Sequence, residues 1–353
     1  MRGNDGGKLR EPSLVTEVPD VVKQKIEAPF EPRYGVALSD LACKLLQQQK
    51  NTWPELGKAY ADLKHLQSRT IDCGNFYVTV QYNPRRIRST GASVDPETLQ
   101  TRNCFLCHSE LPPNQRAILY RGTYLLLCNP APIFHEHFTI AHLEHIPQAI
   151  DGHVTEFLLL AEDVTSRLIV SYNGPRCGAS APGHLHFQAM TAALLPVEND
   201  ITRPELRKEI WQNNGTRLLR ISGIGREIWV LEGFDPISAN SSAHLILSAI
   251  GQCIGPVGDP LIEPMMNIIG VKTESMWKII FFPRRKHRPD AFYREGKERI
   301  VISPAAVEMG GILIAPLERD FERLNAAMVR DIYEEVSLDE PTALRILKTF
   351  TGG

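Results

Sequence analysis

The sequence predicts an α+β protein built around antiparallel β-sheet with flanking helices. Strand-like runs outnumber helical ones through the middle of the chain, and hairpin-length links join several of them, which favours antiparallel pairing. The helical stretch at His153–Leu168 carries apolar residues at Val154, Phe157, Leu158, Ala161 and Val164. That spacing gives a helix one face to pack on a sheet. A fainter internal echo points to two related halves. Asn173 precedes a His-x-His strand, whereas Asn267 precedes a strand, Met276–Phe282, with apolar residues in place of the histidines.

Length and composition bound the reading. A chain of 353 residues suits about two domains. The expected division is an N-terminal arm over 1–35, laid over the body or disordered, a half over 36–200 and a degenerate second half over 201–353. With 39 basic and 41 acidic residues the net charge is −2, so nothing marks a general nucleic-acid or membrane-surface binder. There is no long apolar run and no signal-peptide pattern, and a cytoplasmic protein is expected. Seven cysteines, an odd number in a large chain, disfavour a disulfide framework.

In chain order, helices are expected at Ser39–Gln49 and Pro54–Gln67, the second opening on Pro54 with Asn51 or Thr52 as its cap. Phe76–Tyr82 reads as a strand and runs into the basic, turn-rich segment Asn83–Thr90. That segment is either a solvated loop or a clamp in which Arg85 and Arg86 grip a phosphate or carboxylate. A second basic cluster follows Pro283, at Arg284-Arg285-Lys286. Strands are expected at Ala117–Tyr120, Tyr124–Cys128 and His137–His142. Residues 204–213 read as helical, followed by strands at Arg217–Ile221 and Glu227–Leu231 and a long helix over Pro236–Ile254. Met265–Val271 and Met276–Phe282 form a hairpin, short strands lie near 299–303 and 311–315, and polar helices close the chain.

The chemistry concentrates in Ser171–Gln188. His184-Leu185-His186-Phe187-Gln188 alternates polar and apolar residues, so as a strand it presents His184, His186 and Gln188 on one face. The preceding Gly178–Gly183 loop, which includes Ala179 and Ser180, is small enough to bring backbone N–H groups close to an anion. His186 is the candidate nucleophile. A neutral imidazole attacks phosphorus through one nitrogen when the other donates its proton to a fixed acceptor. Gln188, Ser180 and the loop backbone are placed to meet the growing negative charge. Cys104 and Cys107 supply two of the four ligands a zinc ion takes. The second pair must come from His135, His137, His142, His145 and His184, of which His184 is attractive beside His186.

At His184-Leu-His-Phe-Gln-Ala189 the chain resembles the histidine-triad superfamily, in the branch where glutamine replaces the third histidine. That branch holds galactose-1-phosphate uridylyltransferases, diadenosine tetraphosphate phosphorylases and GDP-hexose phosphorylases. The likeness is nearest to the GDP-L-galactose and GDP-D-glucose phosphorylases. Asn129–Ile133, Ile146–Ile150, Leu195–Glu198 and the runs Met266–Ile269, Pro304–Glu308 and Glu334–Ser337 share in it, so it covers residues 76–350. The resemblance implies a histidine-triad-like fold and ping-pong nucleotidyl transfer or phosphorolysis on a nucleoside-diphosphate sugar, a GDP-hexose first. It implies that His186 forms the adduct, that Gln188 stabilises it, and that Asn173, Gly178, Ala179 and Ser180 contact phosphate. It further implies a structural zinc on Cys104, Cys107, His145 and His184. The partners would be the nucleotide sugar and a phosphate or sugar-phosphate acceptor, with a homodimer as the expected assembly. The rival expectations are a diadenosine polyphosphate phosphorylase or hexose-1-phosphate uridylyltransferase, and a non-catalytic nucleotide-binding protein with a structural zinc.

Overall fold

The structure, a computed structural model, describes residues 18–91, 103–255 and 263–352. Residues 1–17 of the expected arm lie outside it, and the rest of that segment contributes β1 (Ile26–Phe30). Helices α1 (Leu38–Thr52) and α2 (Pro54–Asp62) follow, then β2 (Gln67–Asp72), β3 (Tyr77–Tyr82), β4 (Ala117–Tyr120), β5 (Tyr124–Cys128) and β6 (His137–His142). Helix α3 (Val154–Asp163) leads to β7 (Leu168–Asn173) and β8 (His186–Thr191). The second half runs through β9 (Arg207–Asn213), β10 (Thr216–Ile221), β11 (Ile228–Gly233), α4 (Pro236–Ile254), β12 (Met266–Lys272), β13 (Trp277–Pro283) and β14 (Ile312–Ala315). Helices α5 (Ala326–Val336) and α6 (Glu340–Thr351) close the chain.

Eleven strands form one sheet in the order β1-β4-β5-β6-β8-β7-β12-β13-β11-β10-β9. All its pairs are antiparallel except β1 with β4. The order β4-β5-β6-β8-β7 recurs as β9-β10-β11-β13-β12, with a helix leading into the last strand of each set, β7 and β12. Two related halves thus meet at the β7–β12 seam, and β13 takes in the second the place of β8 in the first. On one face α1 to α4 and α6 bury Phe187, Ala189, Tyr172 and Ile268 in a single core. The other face is covered by the small sheet β14-β3-β2 and α5, with Met190, Ile169, Ile269 and Ile280 in that core. Because strand side chains alternate, His137, His186, Gln188, Asn173 and Asn267 all belong to this second face.

Three segments depart from expectation. Residues 204–213 are not helical, since a short 3-10 turn at Pro204–Leu206 gives way to the edge strand β9. Asn214 (φ 46°) and Gly215 (φ 73°) build a two-residue hairpin turn that joins β9 to β10, with Thr216 opposite Asn213. Residues 299–303 take no regular secondary structure and join no sheet; their Ile300 and Val301 amides bond to Ala291 O and the Asp320 carboxylate. The helix from Pro54 stops at Asp62, and Gln67 begins β2.

Candidate active site and metal centre

The strand carrying the motif begins at His186, so His184 lies just ahead of it, its amide bonded to Ala181 O. His184 Nε2 donates to His142 O at 2.8 Å, which leaves Nδ1 unprotonated and directed at Cys104 Sγ, 3.4 Å away, and Cys107 Sγ, 3.7 Å away. His145 Nδ1 lies 3.1 Å from Cys107 Sγ. The four ligand atoms fall within 4.8 Å of one another. Tetrahedral zinc with ordinary Zn–S and Zn–N bonds sets its ligand atoms about 3.3–3.8 Å apart, so the cluster fits. A backbone carbonyl fixing the tautomer of a ligating histidine is the usual outer-sphere support. Burial and the neighbouring Cys104 push the Cys107 thiol up to about 11, a cost that a bound cation would offset by taking the thiolate.

His186 is buried, with Nδ1 bonded to His184 O at 2.8 Å. A carbonyl only accepts, so Nδ1 carries the proton and Nε2 keeps its lone pair. Burial holds the imidazole below its ordinary pKa, and it stays neutral. The buried Gln148 side chain clamps this residue from both ends of its peptide unit. Its Oε1 accepts from His186 N at 2.8 Å, while its Nε2 donates to His186 O at 3.1 Å and Asn173 O at 2.9 Å.

Gln188 is oriented by a residue that sequence reading considered only as a metal ligand. Ile133 N donates to His137 Nδ1 at 3.2 Å, so the proton sits on Nε2, which lies 3.2 Å from Gln188 Oε1. Gln188 therefore accepts through oxygen and leaves its amide NH₂ as the free donor. His137 is 1% exposed, and burial pushes its pKa down to about 4, which keeps it in this neutral form. Ser171 stands opposite Gln188 across β7 and β8, and its buried hydroxyl has no hydrogen-bond partner among the described residues.

The remaining residues divide. Asn173 Oδ1 accepts from Asn267 Nδ2 and Ala306 N, both at 2.8 Å, across the seam. The two asparagines read as an echo are direct neighbours. Arg284, from the cluster the motif-free half contributes, is 1% exposed rather than a solvated cation. It bonds Asn267 Oδ1 at 2.6 Å and the carbonyls of Pro304, Val336, Lys286 and His287. Gly178 adopts φ +93°, and a Cβ there would come within 2.6 Å of Ala305 Cβ, so the loop can press on the second half only as glycine. Ala179 is buried and Ser180 half-buried in the same loop. Arg85 is exposed and paired with Asp62. Arg86 turns inward, donating to Ala131 O at 3.1 Å, close enough for its charge to act on His137 and Glu308.

Residues 45–191 match a family model described as a domain of unknown function (DUF4922). No curated protein matches. The crystal structure of yeast Ap4A phosphorylase Apa2 superposes with a TM-score of 0.52 at 16% identity, covering 84% of this chain and 98% of that one. Its complex with AMP gives 0.53 at 17% identity, covering 83% and 96%. The chain shares the fold of that enzyme. The correspondence spans both halves and confirms the α+β architecture drawn from sequence. Among the described residues, no helix is long and apolar enough to cross a membrane.

Proposed function

We propose that this chain is a nucleotidyltransferase or phosphorylase acting through a nucleotidyl adduct on His186, with residues 36–200 as the catalytic half and 201–353 as a supporting half without the motif. The observation that carries the reading is the bond from His186 Nδ1 to His184 O, which presents Nε2 as the nucleophile. Nε2 attacks the α-phosphorus of a nucleoside-diphosphate sugar, and the bond from that phosphorus to the bridging oxygen breaks, releasing the sugar phosphate. Inorganic phosphate then attacks the same phosphorus, freeing His186 and giving a nucleoside diphosphate. The Gln188 NH₂ and the Gly178–Ser180 segment would meet the charge on the phosphoryl oxygens, with Asn173 and Arg86 in support. Zinc on Cys104, Cys107, His145 and His184 would be structural, since four protein ligands close the site.

A GDP-hexose is the substrate implied by the sequence resemblance. A dinucleoside polyphosphate is the second reading, supported by the fold shared with an Ap4A phosphorylase. Incubating the protein with GDP-hexose or diadenosine tetraphosphate, each labelled at the α-phosphate, tests both. The expected result is label that stays on the protein through denaturation at alkaline pH and leaves as nucleoside diphosphate when phosphate is added. Label from neither substrate, with zinc retained, would favour the non-catalytic nucleotide-binding alternative.

His137 is a positioning residue in this scheme, since it acts through Gln188. His137→Leu removes the donor that fixes the amide and should lower kcat about tenfold, the scale of one hydrogen bond, with KM nearly unchanged. His137→Gln, which keeps a donor near the Nε2 position, should recover part of the loss. Equal kcat in wild type and His137→Leu would remove this role, whatever the fall in thermal stability.

A further inference from the structure

A cleft of about 390 Å³ opens beside the seam, lined by Arg176, Arg284, Arg285 and Arg345 together with Asp339 and Thr342. Its charge is one-sided. Asp339, the one carboxylate among its described lining residues, accepts from Thr342 N at 2.9 Å and Thr342 Oγ1 at 3.1 Å as the cap of α6. Arg284 and Arg285 hydrogen-bond to neutral carbonyls, which hold the guanidinium groups in place, while Glu308 acts on Arg284 and Asp339 feels the Arg285 charge. Arg176 and Arg345 are exposed and make no hydrogen bond or ion pair with the described residues. An adjoining cavity of about 350 Å³ differs in this respect. There Arg220 is held by Glu227 through bonds of 2.8 and 2.9 Å and by Glu340 at 3.0 Å, so that cation is neutralised internally.

We propose that the Arg176–Arg345 cleft binds a multiply charged phosphate anion. The planar guanidinium groups of Arg176 and Arg345 match phosphate oxygens, with Arg284 and Arg285 adding charge behind them, and the cleft has room for several linked phosphates. Arg176 lies three residues beyond Asn173, in the loop that continues into Gly178. The anion therefore has two sources of the same chemistry, the distal phosphates of a nucleotide held at His186 or a separate phosphate ligand. The first source rests on the proposed function, and binding to the cleft does not.

The test is calorimetric titration of the full chain with inorganic tripolyphosphate at fixed ionic strength. Saturable binding is expected, and Arg176→Gln and Arg345→Gln should each weaken it roughly tenfold, the scale of one charge-assisted contact. Both side chains are exposed, so unchanged melting should accompany the loss. Absence of saturable binding, or binding that neither variant weakens, would overturn the proposal. Two further arms distinguish the sources. If the cleft holds the substrate's own phosphates, the variants raise KM for the nucleotide and tripolyphosphate competes with it. If the ligand is separate, tripolyphosphate binds while nucleotide is saturating and KM is unchanged. A chain without turnover still gives the titration result, which separates failure of this site from failure of the catalytic reading.

Discussion

His186→Asn is expected to abolish both the labelled adduct and turnover while the protein remains folded. The choice of asparagine follows from the two nitrogens of the ring. Nδ1 holds the residue to His184 O at 2.8 Å, and an asparagine amide can reach the same carbonyl. Nothing in asparagine replaces Nε2, so only the attacking atom is lost. The Gln148 clamp acts on the backbone of residue 186 and survives the change. Loss of a covalent nucleophile elsewhere lowers kcat by factors on the order of 10⁶, and a fall of at least roughly 10⁴-fold is expected here. His186→Ala should lose activity to the same extent and some stability besides, because it also vacates a buried site. Turnover within tenfold of wild type in His186→Asn would refute the adduct mechanism, since no other histidine nitrogen on the motif is free in this geometry.

The motif itself was legible because its information is local. Alternation placed His186 and Gln188 on one face, and the spacing of Cys104 and Cys107 announced a ligand pair. What was not legible depends on the register between strands remote in sequence. His137 meets Gln188 only because β6 lies against β8, with Thr139 opposite Gln188. Asn267 and Arg284 reach Asn173 only through the β7–β12 seam. No local pattern specifies which strands become neighbours. Gln148 entered only within the Ile146–Ile150 run of the resemblance, and its importance lies in three backbone groups it satisfies at a distance. The reading of 204–213 as helix failed for a different reason. Arg207–Asn213 is polar and half exposed at a sheet edge, where apolar alternation is weak, and the Asn214-Gly215 turn was the stronger signal. The Gln67–Asp72 strand is equally polar, with most of its residues outside the core.

The second large effect concerns the candidate metal centre, and it reaches the proposed nucleophile through one residue. His184 offers Nδ1 to the ligand cluster, while its carbonyl oxygen receives the His186 Nδ1 proton. Whatever fixes the first also fixes the second. The purified protein should carry about one zinc per chain, the stoichiometry of a single closed four-ligand site. Replacing both Cys104 and Cys107 by serine should remove that zinc, because serine does not ionise at neutral pH as a zinc-bound thiol does. The loop around the cluster also buries Leu106, Leu143 and Ala181 in a small core of its own, so its collapse should be felt beyond the ligands. Structural zinc contributes several kcal/mol where it has been measured. At roughly 2–4 °C per kcal/mol for chains of moderate size, a loss of about 3 kcal/mol would lower Tm by about 6–12 °C. Activity should fall with zinc content as the His184 carbonyl loses its fixed position, and a chelator applied to the wild type should reproduce both changes. A double serine variant that retained a full equivalent of zinc would show the ligand set to be wrong. One that lost the zinc yet kept wild-type Tm and kcat would show that the metal does not hold the nucleophile in place.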